Sequence, residues 1–352
     1  MIPLFRPSFS ELEKKYVLEV LESGWWGLGP KTEEFERKYA KFVGAKYAVA
    51  LNSATAALDL ALKVHDVHDG EVILPALTFV STGLAALYNK NKVVFADINE
   101  KNLCIDWNDA LKKTTNKTKA VIPVHYGGTF AGNAGINEAV TIEDCAHAVG
   151  NELAGKTTAC WSFHAVKNLA TGDGGMITTN DEAIYKKLLP MRWCGIDRST
   201  WERSQKRYGW NYTINTVGYK CHMNDITAAI GLAQLERIDN LNYCRRMWVA
   251  HYLEELKDVS FLKLPAWDDK SAWHMFVVRI DAKLRNRFID YMLAKGISVG
   301  VHYKPLNTYP MFPKTKLSVT DRVWKELVTL PLFPDMTGQE IQWIINSIKK
   351  FL

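Results

Sequence analysis

The sequence predicts an α/β fold: a large domain with a mostly parallel mixed sheet covered by helices, followed by a smaller C-terminal α+β domain. Short apolar runs alternate with helix-period segments through the first two-thirds of the chain, which is typical of buried parallel strands joined by helices. The 352 residues are 47% hydrophobic and 23% charged, a composition that can bury a substantial core. We expect the large domain to span residues 1–238 and the small domain 239–352.

The large domain is predicted to open with two amphipathic helices and to continue with strands and helices in alternation. Ser8 and Glu11 have the spacing of a capping box, which indicates the start of the first helix. The predicted helices are 8–21, 31–43, 55–64 and 80–88, and the predicted strands are 47–51, 72–75, 93–97, 120–124, 139–144 and 175–179. Because ligands collect at the carboxyl ends of parallel strands, polar residues that follow these runs are the first candidates for a site.

The C-terminal domain is predicted from a change in pattern near residue 240. Thr337 and Glu340 form another capping box, and the helix after it carries four isoleucines on one face. The predicted elements before it are a long helix at about 238–256, a strand at 274–280, a helix at 283–295 and a short strand at 297–303. Strands and helices therefore mix here without the regular alternation of the large domain.

Composition and charge exclude several classes of protein. The net charge is +6, but the basic residues are dispersed, and no nucleic-acid-binding module is visible. No apolar run reaches the roughly 18 residues of a membrane span, and the first residues lack the pattern of a secretory signal. The six cysteines are scattered without zinc-ligand spacing, as expected for buried free thiols. We expect a cytoplasmic protein that binds neither nucleic acid nor membrane and holds no metal.

The segment 161–181 is the first candidate for chemistry. An apolar start leads to Lys167, then to the sequence TGDGG, and then to another strand-like run. Grouped glycines let a backbone approach a ligand closely, and a lysine beside them could react with a carbonyl compound. An ordinary solvated lysine next to a plain turn would look the same, so this segment alone leaves both interpretations open.

Two further segments carry weaker signals of the same kind. Asp144 ends a predicted strand, and a buried carboxylate beside a pyridine ring would keep the ring nitrogen protonated. At 51–62 a strand passes directly into a helix, whose first amides, with the hydroxyls of Ser53 and Thr55, could bind a phosphate. Capping explains Asp144, Ser53 and Thr55 equally well, and His147 could be a structural histidine.

The order of these three segments, a phosphate cradle, a strand-end aspartate and then a lysine, is typical of enzymes that use pyridoxal phosphate. The matching motifs are SGWWGLGPKTEEFE (23–36), NSATAALDLAL (52–62), VILPALTFVST (72–82), PVHYGG (123–128), EDCAHAVG (143–150), SFHAVKNLATGDGG (162–175), GYKCHMNDITAAIGLAQLE (218–236), GVHYKPLN (300–307) and LPLFPDMT (330–337). With these motifs the chain resembles the DegT-type nucleotide-sugar aminotransferases, within the fold-type I pyridoxal-phosphate enzymes. It is most similar to 4-keto-6-deoxyhexose C-4 aminotransferases such as perosamine and viosamine synthases.

The resemblance implies three catalytic residues. Lys167 would bind the aldehyde of pyridoxal phosphate and move a proton between the substrate carbon and the cofactor. Asp144 would pair with the pyridine nitrogen, and His147 would lie near the 3-oxygen of the ring.

The resemblance also implies the remaining contacts. Ser53, Ala54, Thr55 and Ser162 would surround the phosphate, and Phe79 would stack on the ring. Lys220 would reach the phosphate from a neighbouring subunit, which implies a homodimer with shared active sites. Trp25, Trp26, His302 and Tyr303 lie in segments that line the sugar-nucleotide site of relatives, although hydrophobic packing of the tryptophans and a structural role for His302 stay open.

The sequence departs from the family pattern in three respects: the length of two segments, the residue at 307 and the residue at 128. The segments 130–140 and 156–161 are short, which implies that a surface helix and a loop are trimmed. Asn307 stands where a second histidine is common, and Gly128 replaces a frequent glutamine. Neither change touches Lys167 or Asp144.

The implied reaction moves an amino group from L-glutamate to C-4 of a nucleotide-linked 4-keto-6-deoxyhexose, with pyridoxamine phosphate carrying the amine between the two. The segment 302–307 favours C-4 over C-3. The alternatives are a C-3 aminotransferase of the same family and a non-catalytic protein that binds the cofactor or the sugar nucleotide. A 3-dehydratase of the family would have histidine in place of Lys167. The sequence does not distinguish GDP, dTDP and UDP sugars.

Overall fold

A mixed sheet of seven strands forms the centre of the large domain in the computed structural model, which describes residues 1–136 and 138–352. The strands are β1 Tyr47–Leu51, β2 Glu71–Pro75, β3 Lys92–Ala96, β4 Thr118–Val121, β5 Val140–Asp144, β6 Thr158–Ser162 and β7 Gly175–Thr179. Their order across the sheet is β1-β7-β6-β5-β4-β2-β3. Strands β3, β2, β4, β5 and β6 are parallel, whereas β7 runs antiparallel to both β6 and β1. This topology confirms the predicted fold class.

Helices cover the sheet, and most begin and end close to the predicted positions. They are α1 Glu11–Ser23, α2 Pro30–Val43, α3 Ala54–Val64, α4 Val80–Tyr88, α5 Trp107–Lys112, α6 Glu182–Met191, α7 Thr200–Ser204, α8 Asp225–Leu256, α9 Ala282–Ala294, α10 Thr320–Val323 and α11 Gly338–Lys349. The capping box predicted at Thr337 and Glu340 is present at the start of α11. Strand β6 was not predicted as a strand of its own. Only its last residues were recognised, as the apolar start of the segment 161–181.

The first capping box lies two residues beyond its predicted place. Ser10 caps α1 with Glu13, and the predicted cap Ser8 is instead buried. The Ser8 hydroxyl donates to Asp335 at 3.1 Å and accepts from Arg237 at 2.8 Å. Ser8 therefore joins segments distant in sequence, and local spacing could not reveal that.

Helix α8 is longer than the predicted helix at 238–256. It begins at Asp225, and the side chain of Asn224 accepts from the Thr227 amide as its cap. The Asp225 carboxylate accepts from the amides of Gly29 and Thr32 at 3.0 and 2.9 Å, so it also anchors the start of α2. The division expected after residue 238 falls inside this continuous helix.

A three-stranded antiparallel sheet lies in the C-terminal part, in the order β10-β9-β8. Its strands are β8 Leu262–Lys263, β9 Phe276–Ile280 and β10 Leu327–Leu330. The strand predicted at 297–303 is wrong: this segment makes only single bridges, from Ile297 to Ile2 and from Gly300 to Thr329.

Helix composition and cysteine burial test two further expectations from the sequence. Across residues 1–136 and 138–352, none of the helices combines the length and apolar content that crossing a membrane requires. All six cysteines are free, but only four of them are buried, since Cys194 is exposed and Cys244 is half-buried. The expectation that all six thiols are buried is therefore wrong for these two.

Candidate active site

A cavity of about 310 Å³ opens where β5 and β6 end and α3 and α4 begin. Its lining includes the following residues predicted from the sequence: Ser53, Ala54, Thr55, Phe79, Asp144, His147, Ser162, Lys167, His302 and Tyr303. A larger cleft of about 760 Å³ lies between α2, α6 and the segment after α6, and it contains none of these residues. The smaller cavity is therefore the candidate active site, because the predicted site residues line it and are absent from the larger cleft.

Lys167 lies in the turn segment between β6 and β7. Its amide donates to the His164 carbonyl at 2.8 Å, and its side chain is half-buried and lines the cavity. Surrounding protein desolvates the amine and lowers its pKa to about 8, against the opposing charge of Asp144. At pH 7 about a tenth of this amine is therefore neutral, and so nucleophilic, far more than for a lysine with the usual pKa.

Asp144 is the last residue of β5 and is buried. Its carboxylate accepts from the Thr82 hydroxyl at 2.8 Å and from the Ala146 amide at 3.1 Å. Burial raises the pKa of Asp144, whereas these hydrogen bonds and the charge of Lys167 oppose the rise. A cationic ring nitrogen placed here would relieve the desolvation that Asp144 experiences.

His147 is buried three residues after Asp144 along the chain, on the same side of the cavity. Its Nδ1 accepts a long hydrogen bond of 3.4 Å from the Gly127 amide, and its Nε2 lies 3.1 Å from the Tyr303 hydroxyl. Burial lowers the pKa of His147 well below its usual value, and the charge of Lys167 adds to this effect. The imidazole is therefore neutral at physiological pH.

The N-terminus of α3 closes another side of the cavity. Ser53 caps this helix by accepting from the Ala56 amide at 3.1 Å, and the Thr55 hydroxyl lies 2.7 Å from that of Ser81. A side chain at Gly175 would collide with the backbone of Ser53, since its Cβ would lie 2.3 Å from the Ser53 carbonyl carbon. The glycine thus lets β7 run directly behind the helix start, whose first amides point at the cavity end.

His302 and Tyr303 reach the cavity from the C-terminal part of the chain. His302 Nδ1 lies 2.8 Å from the Thr329 hydroxyl, and burial lowers the pKa of His302 to about 4. Burial raises the pKa of Tyr303, so its hydroxyl stays protonated. The ring of Tyr303 packs 5.8 Å from that of Phe79, an exposed residue at the cavity mouth.

Three predicted residues do not line the cavity of their own chain. Trp25 packs edge-on against Trp201 and donates to the Leu28 carbonyl, while Trp26 is 55% exposed. Lys220 extends over the ring of Trp193, with its amine 5.5 Å from the ring centre. Within one chain the structure therefore separates these three residues from the others.

The two substituted family positions have structural reasons. Gly128 has a φ of +105°, and its Cβ would lie 2.7 Å from the Trp273 amide nitrogen, so no side chain fits there. Asn307 is buried, and its amide donates to the Thr315 carbonyl and to Asp321. Asn307 thus supports a loop, and it does not line the cavity.

Sequence reasoning missed Thr82 and Tyr126. Thr82 holds the Asp144 carboxylate, and Tyr126 donates to the backbone carbonyl of His302. Both lie inside quoted motifs, yet neither residue type by itself signals a function. The four-residue spacing of Thr78, which precedes α4, and Thr82 within it was the available signal for a polar cluster, since their hydroxyls lie 2.8 Å apart.

One cluster among the described residues has donor atoms close enough for a metal, namely His125, Glu143 and Cys145. The Glu143 carboxylate already accepts from His125, from the amides of Gly155 and Thr157 and from the Thr157 hydroxyl. Those four hydrogen bonds occupy its lone pairs. We interpret the cluster as structural.

Comparison with known proteins identifies the family. Residues 7–349 match the DegT/DnrJ/EryC1/StrS aminotransferase family. The spore coat polysaccharide biosynthesis protein SpsC of Bacillus subtilis is 36% identical, over 99% of this chain and 96% of its own length. The chain therefore belongs to the DegT/DnrJ/EryC1/StrS aminotransferase family.

Solved structures are similar over the whole chain. Spr1654 of Streptococcus pneumoniae, assigned as a sugar aminotransferase, superposes in its PMP form with a TM-score of 0.92 and 29% identity, covering 100% of this chain and 99% of that one. PseC of Helicobacter pylori, an aminotransferase involved in the biosynthesis of pseudoaminic acid, gives 0.90 and 26%, covering 99% and 98%. The protein is a sugar aminotransferase of fold type I.

Pyridoxal phosphate is the cofactor of this enzyme, as the PLP and PMP forms of Spr1654 illustrate for a relative. The cavity supplies chemically matching groups: a lysine amine with a lowered pKa, a buried carboxylate and a helix N-terminus flanked by hydroxyls. An aldehyde, a ring nitrogen and a phosphate require these three kinds of partner. The residues present therefore fit the cofactor.

Proposed function

We propose that the protein transfers an amino group from L-glutamate to C-4 of a nucleotide-linked 4-keto-6-deoxyhexose, in the manner of a perosamine synthase. The observation that carries this proposal is the meeting of Lys167, Asp144 and the start of α3 around one cavity, with His302 and Tyr303 on its other wall. The motif HYKPLN at 302–307, which resembles that of C-4 aminotransferases, supports the regiochemistry.

Lys167 and Asp144 are the proposed centre of the chemistry. Bound pyridoxal phosphate supplies an electron sink for carbanion chemistry. Asp144 keeps the ring nitrogen protonated, and the Lys167 amine removes and returns the proton at the substrate carbon. With its pKa near 8, Lys167 can act both as base and as acid close to physiological pH. His147 orients the ring at its 3-oxygen through the Tyr303 hydroxyl, which lies 3.1 Å from His147 Nε2.

The remaining cavity residues hold the cofactor and the sugar. Ser53, Ala54, Thr55 and Ser162 bind the phosphate in this proposal, because hydroxyls and a helix N-terminus both donate to anions. Phe79 stacks on the ring, and His302 and Tyr303 contact the sugar. The position of Phe79 at the mouth, 55% exposed, supports a contact with a bound ring that covers it.

We propose that two chains form a homodimer in which each completes the site of the other. Lys220 then reaches the phosphate of the partner's cavity, and Trp25 and Trp26 contact the sugar nucleotide across the interface. Support comes from their separation from their own cavity and from an exposed apolar segment beside Lys220. That segment carries Tyr208, Trp210, Tyr212, Ile214, Val217 and Tyr219, all at least 39% exposed. Exposed apolar surface of this density is typical of protein interfaces.

The division of the chain and its location are further parts of the proposal. A small domain that begins after residue 238 is supported by an apolar cluster drawn from residues 249–351, including Phe276, Phe288 and Ile345. A cytoplasmic location is supported by the free state of all six cysteines.

Three alternative functions remain to be compared with this proposal. A C-3 aminotransferase would use the same Lys167 and Asp144, and the structurally similar PseC is involved in the biosynthesis of pseudoaminic acid. A non-catalytic protein would bind the cofactor or the sugar nucleotide without turnover. A 3-dehydratase is disfavoured because Lys167 is present at the cavity.

The test is incubation of the holoenzyme with L-glutamate and a panel of nucleotide-linked 3-keto and 4-keto sugars, including GDP, dTDP and UDP forms. We expect 2-oxoglutarate and a 4-amino sugar in equal amounts, identified by mass and NMR. A 3-amino product would replace C-4 by C-3, and consumption of no sugar despite bound cofactor would refute the catalytic proposal.

A further inference from the structure

His274 lies directly behind His147, although it does not line the cavity. It comes just before β9, it is 1% exposed, and its ring centre lies 4.6 Å from that of His147. Phe5 stacks on His274 at 5.4 Å with nearly parallel planes. Beyond His147, the ring of Tyr303 continues the column toward Phe79 at the cavity mouth. The N-terminal segment is thus connected to the cavity through one column of rings.

Hydrogen bonds fix which nitrogen of His274 carries the proton. The side chain of Asn242 bonds to the Val149 carbonyl, and that of Asn168 bonds to the Ala272 carbonyl. Because backbone carbonyls only accept, these bonds show which end of each side-chain amide is the nitrogen. The Asn168 amide nitrogen also donates to the Asn242 oxygen at 2.8 Å, which leaves the Asn168 oxygen facing His274 Nδ1 at 3.2 Å. His274 therefore donates from Nδ1. Burial lowers the pKa of His274 well below its usual value, so the ring is neutral.

The same reasoning applies to His147. The Gly127 amide donates to His147 Nδ1, so the proton of the neutral ring is on Nε2. Nε2 then donates to the Tyr303 oxygen at 3.1 Å. The hydroxyl proton of Tyr303 is not used in that bond and is free for an oxygen atom of a ligand in the cavity.

We propose that His274 is a positioning residue that holds the His147 ring in the orientation in which Nε2 donates to Tyr303. His274 does this by packing on one face of His147 while its own ring is fixed by Asn168, the residue after Lys167, and by Phe5. The lysine segment and the His147–Tyr303 pair are thereby coupled through a residue outside the cavity. The inference rests on the proposed role of His147 in orienting the cofactor ring.

The test compares His274→Phe, which keeps the ring contact and removes the bond to Asn168, with His274→Gln, which keeps a donor and removes the ring contact. Two quantities are measured: the pH midpoint of the visible absorption of the protein loaded with pyridoxal phosphate, without substrate, and the single-turnover rate with L-glutamate. For His274→Phe we expect a midpoint shift of more than about half a pH unit and a rate roughly 10- to 100-fold lower. The glutamate concentration that gives half the maximal rate should change less than about two-fold.

The rate of His274→Gln should fall between those of the wild type and His274→Phe if the bond to Asn168 fixes the ring. The exposed His68 supplies the matched control, because His68→Phe makes the same replacement far from the cavity lining. It should leave both quantities unchanged.

His147→Ala distinguishes the inference from the proposal beneath it. A changed midpoint in His147→Ala with an unchanged midpoint and rate in His274→Phe would refute the role of His274 alone. Unchanged values in His147→Ala would refute the role of His147, and this inference with it. Should His274→Phe be too unstable to purify, Phe5→Leu removes the stacking partner at a half-buried position. It should shift the midpoint in the same direction, and an unshifted midpoint refutes the inference.

Discussion

Burial shifts the pKa values of Lys167 and Asp144 in opposite directions. It lowers the pKa of Lys167 to about 8 and raises that of Asp144, so both charged forms are disfavoured. Each charge opposes the shift of the other, because a cation and an anion stabilise one another in low dielectric. Burial thus brings the pKa of Lys167 closer to neutral pH, whereas an exposed lysine would remain charged.

The lowered pKa predicts how the coenzyme-free protein takes up pyridoxal phosphate. Because only the neutral amine is nucleophilic, the association rate should rise with pH around a midpoint near 8. Stopped-flow absorbance measures the rate, and borohydride reduction with peptide mapping should place the label on Lys167. Lys167→Ala should show neither the label nor turnover, whereas the exposed Lys263→Ala should behave as wild type. A midpoint near 10.5 would contradict the assignment.

Replacement of Asp144 tests its proposed role as partner of the ring nitrogen. Asp144→Asn keeps the size of the side chain and an acceptor for the Ala146 amide but removes the charge. The rate of the half-reaction with L-glutamate should fall by about 10²–10³-fold, the loss typical of a preorganised electrostatic partner. Asp269→Asn, at an exposed position, is the control. A near wild-type rate in Asp144→Asn would show that another group serves the nitrogen.

At the scale of elements, the end of β5 serves two purposes at once. Successive residues of a strand point to opposite faces, so Asp144 faces the cavity while Glu143 faces away from it. Glu143 ties the strand to His125 and to the loop at Gly155 and Thr157. Although burial raises the pKa of Glu143, these hydrogen bonds lower it to about 2. Glu143, which has no proposed chemical role, therefore fixes the position of Asp144 beside it.

Glu143→Gln should destabilise the fold. The new amide would turn a donor toward either the His125 and Gly155 donors or those of Thr157, which leaves buried donors unpaired at a cost of about 2–4 kcal/mol. Urea unfolding measures the loss, with the exposed Glu152→Gln as control. Because the folded-state pKa lies below the unfolded value, the wild-type contribution is complete above pH 4.5 and is lost as the pH falls toward 2. An equal free energy of unfolding for Glu143→Gln and wild type would contradict this account.

At the scale of the whole molecule, one chain does not gather every predicted residue. Lys220 packs on Trp193, away from its own cavity, beside the exposed aromatic segment 208–219. In the proposed homodimer, a second copy of the chain would cover that apolar surface and bring the Lys220 amine toward the proposed phosphate site. A shared site of this kind makes activity depend on assembly.

Mixed dimers test the shared site. A hybrid of one Lys167→Ala chain and one Lys220→Ala chain contains one site with both lysines intact, if Lys220 acts across the interface. The purified hybrid should recover about half of the wild-type activity, since one of its two sites is complete. Each mutant homodimer alone should be impaired. A hybrid no more active than the mean of the two homodimers would place Lys220 in its own chain's site or outside any site.

Some elements of the fold could be predicted from the sequence and others could not. Six of the seven strands of the large sheet, all except β6, and the start of α3 were expected nearly at their observed positions, because burial patterns and caps are local. The first capping box was misplaced because Ser8 bonds to Asp335 and Arg237, far along the chain. The strand expected at 297–303 is wrong because its neighbours offer only single bridging residues.

The sequence by itself determined the fold class and the family, and it singled out Lys167, Asp144 and the residues that we propose to bind the phosphate. These signals reside in short motifs whose chemistry does not depend on the rest of the chain. Only the tertiary structure decided that His274 backs His147, that Thr82 holds Asp144 and that Lys220 stands apart from its own cavity. The pKa values belong to the same category, since desolvation and contacts between distant segments exist only once the chain has folded.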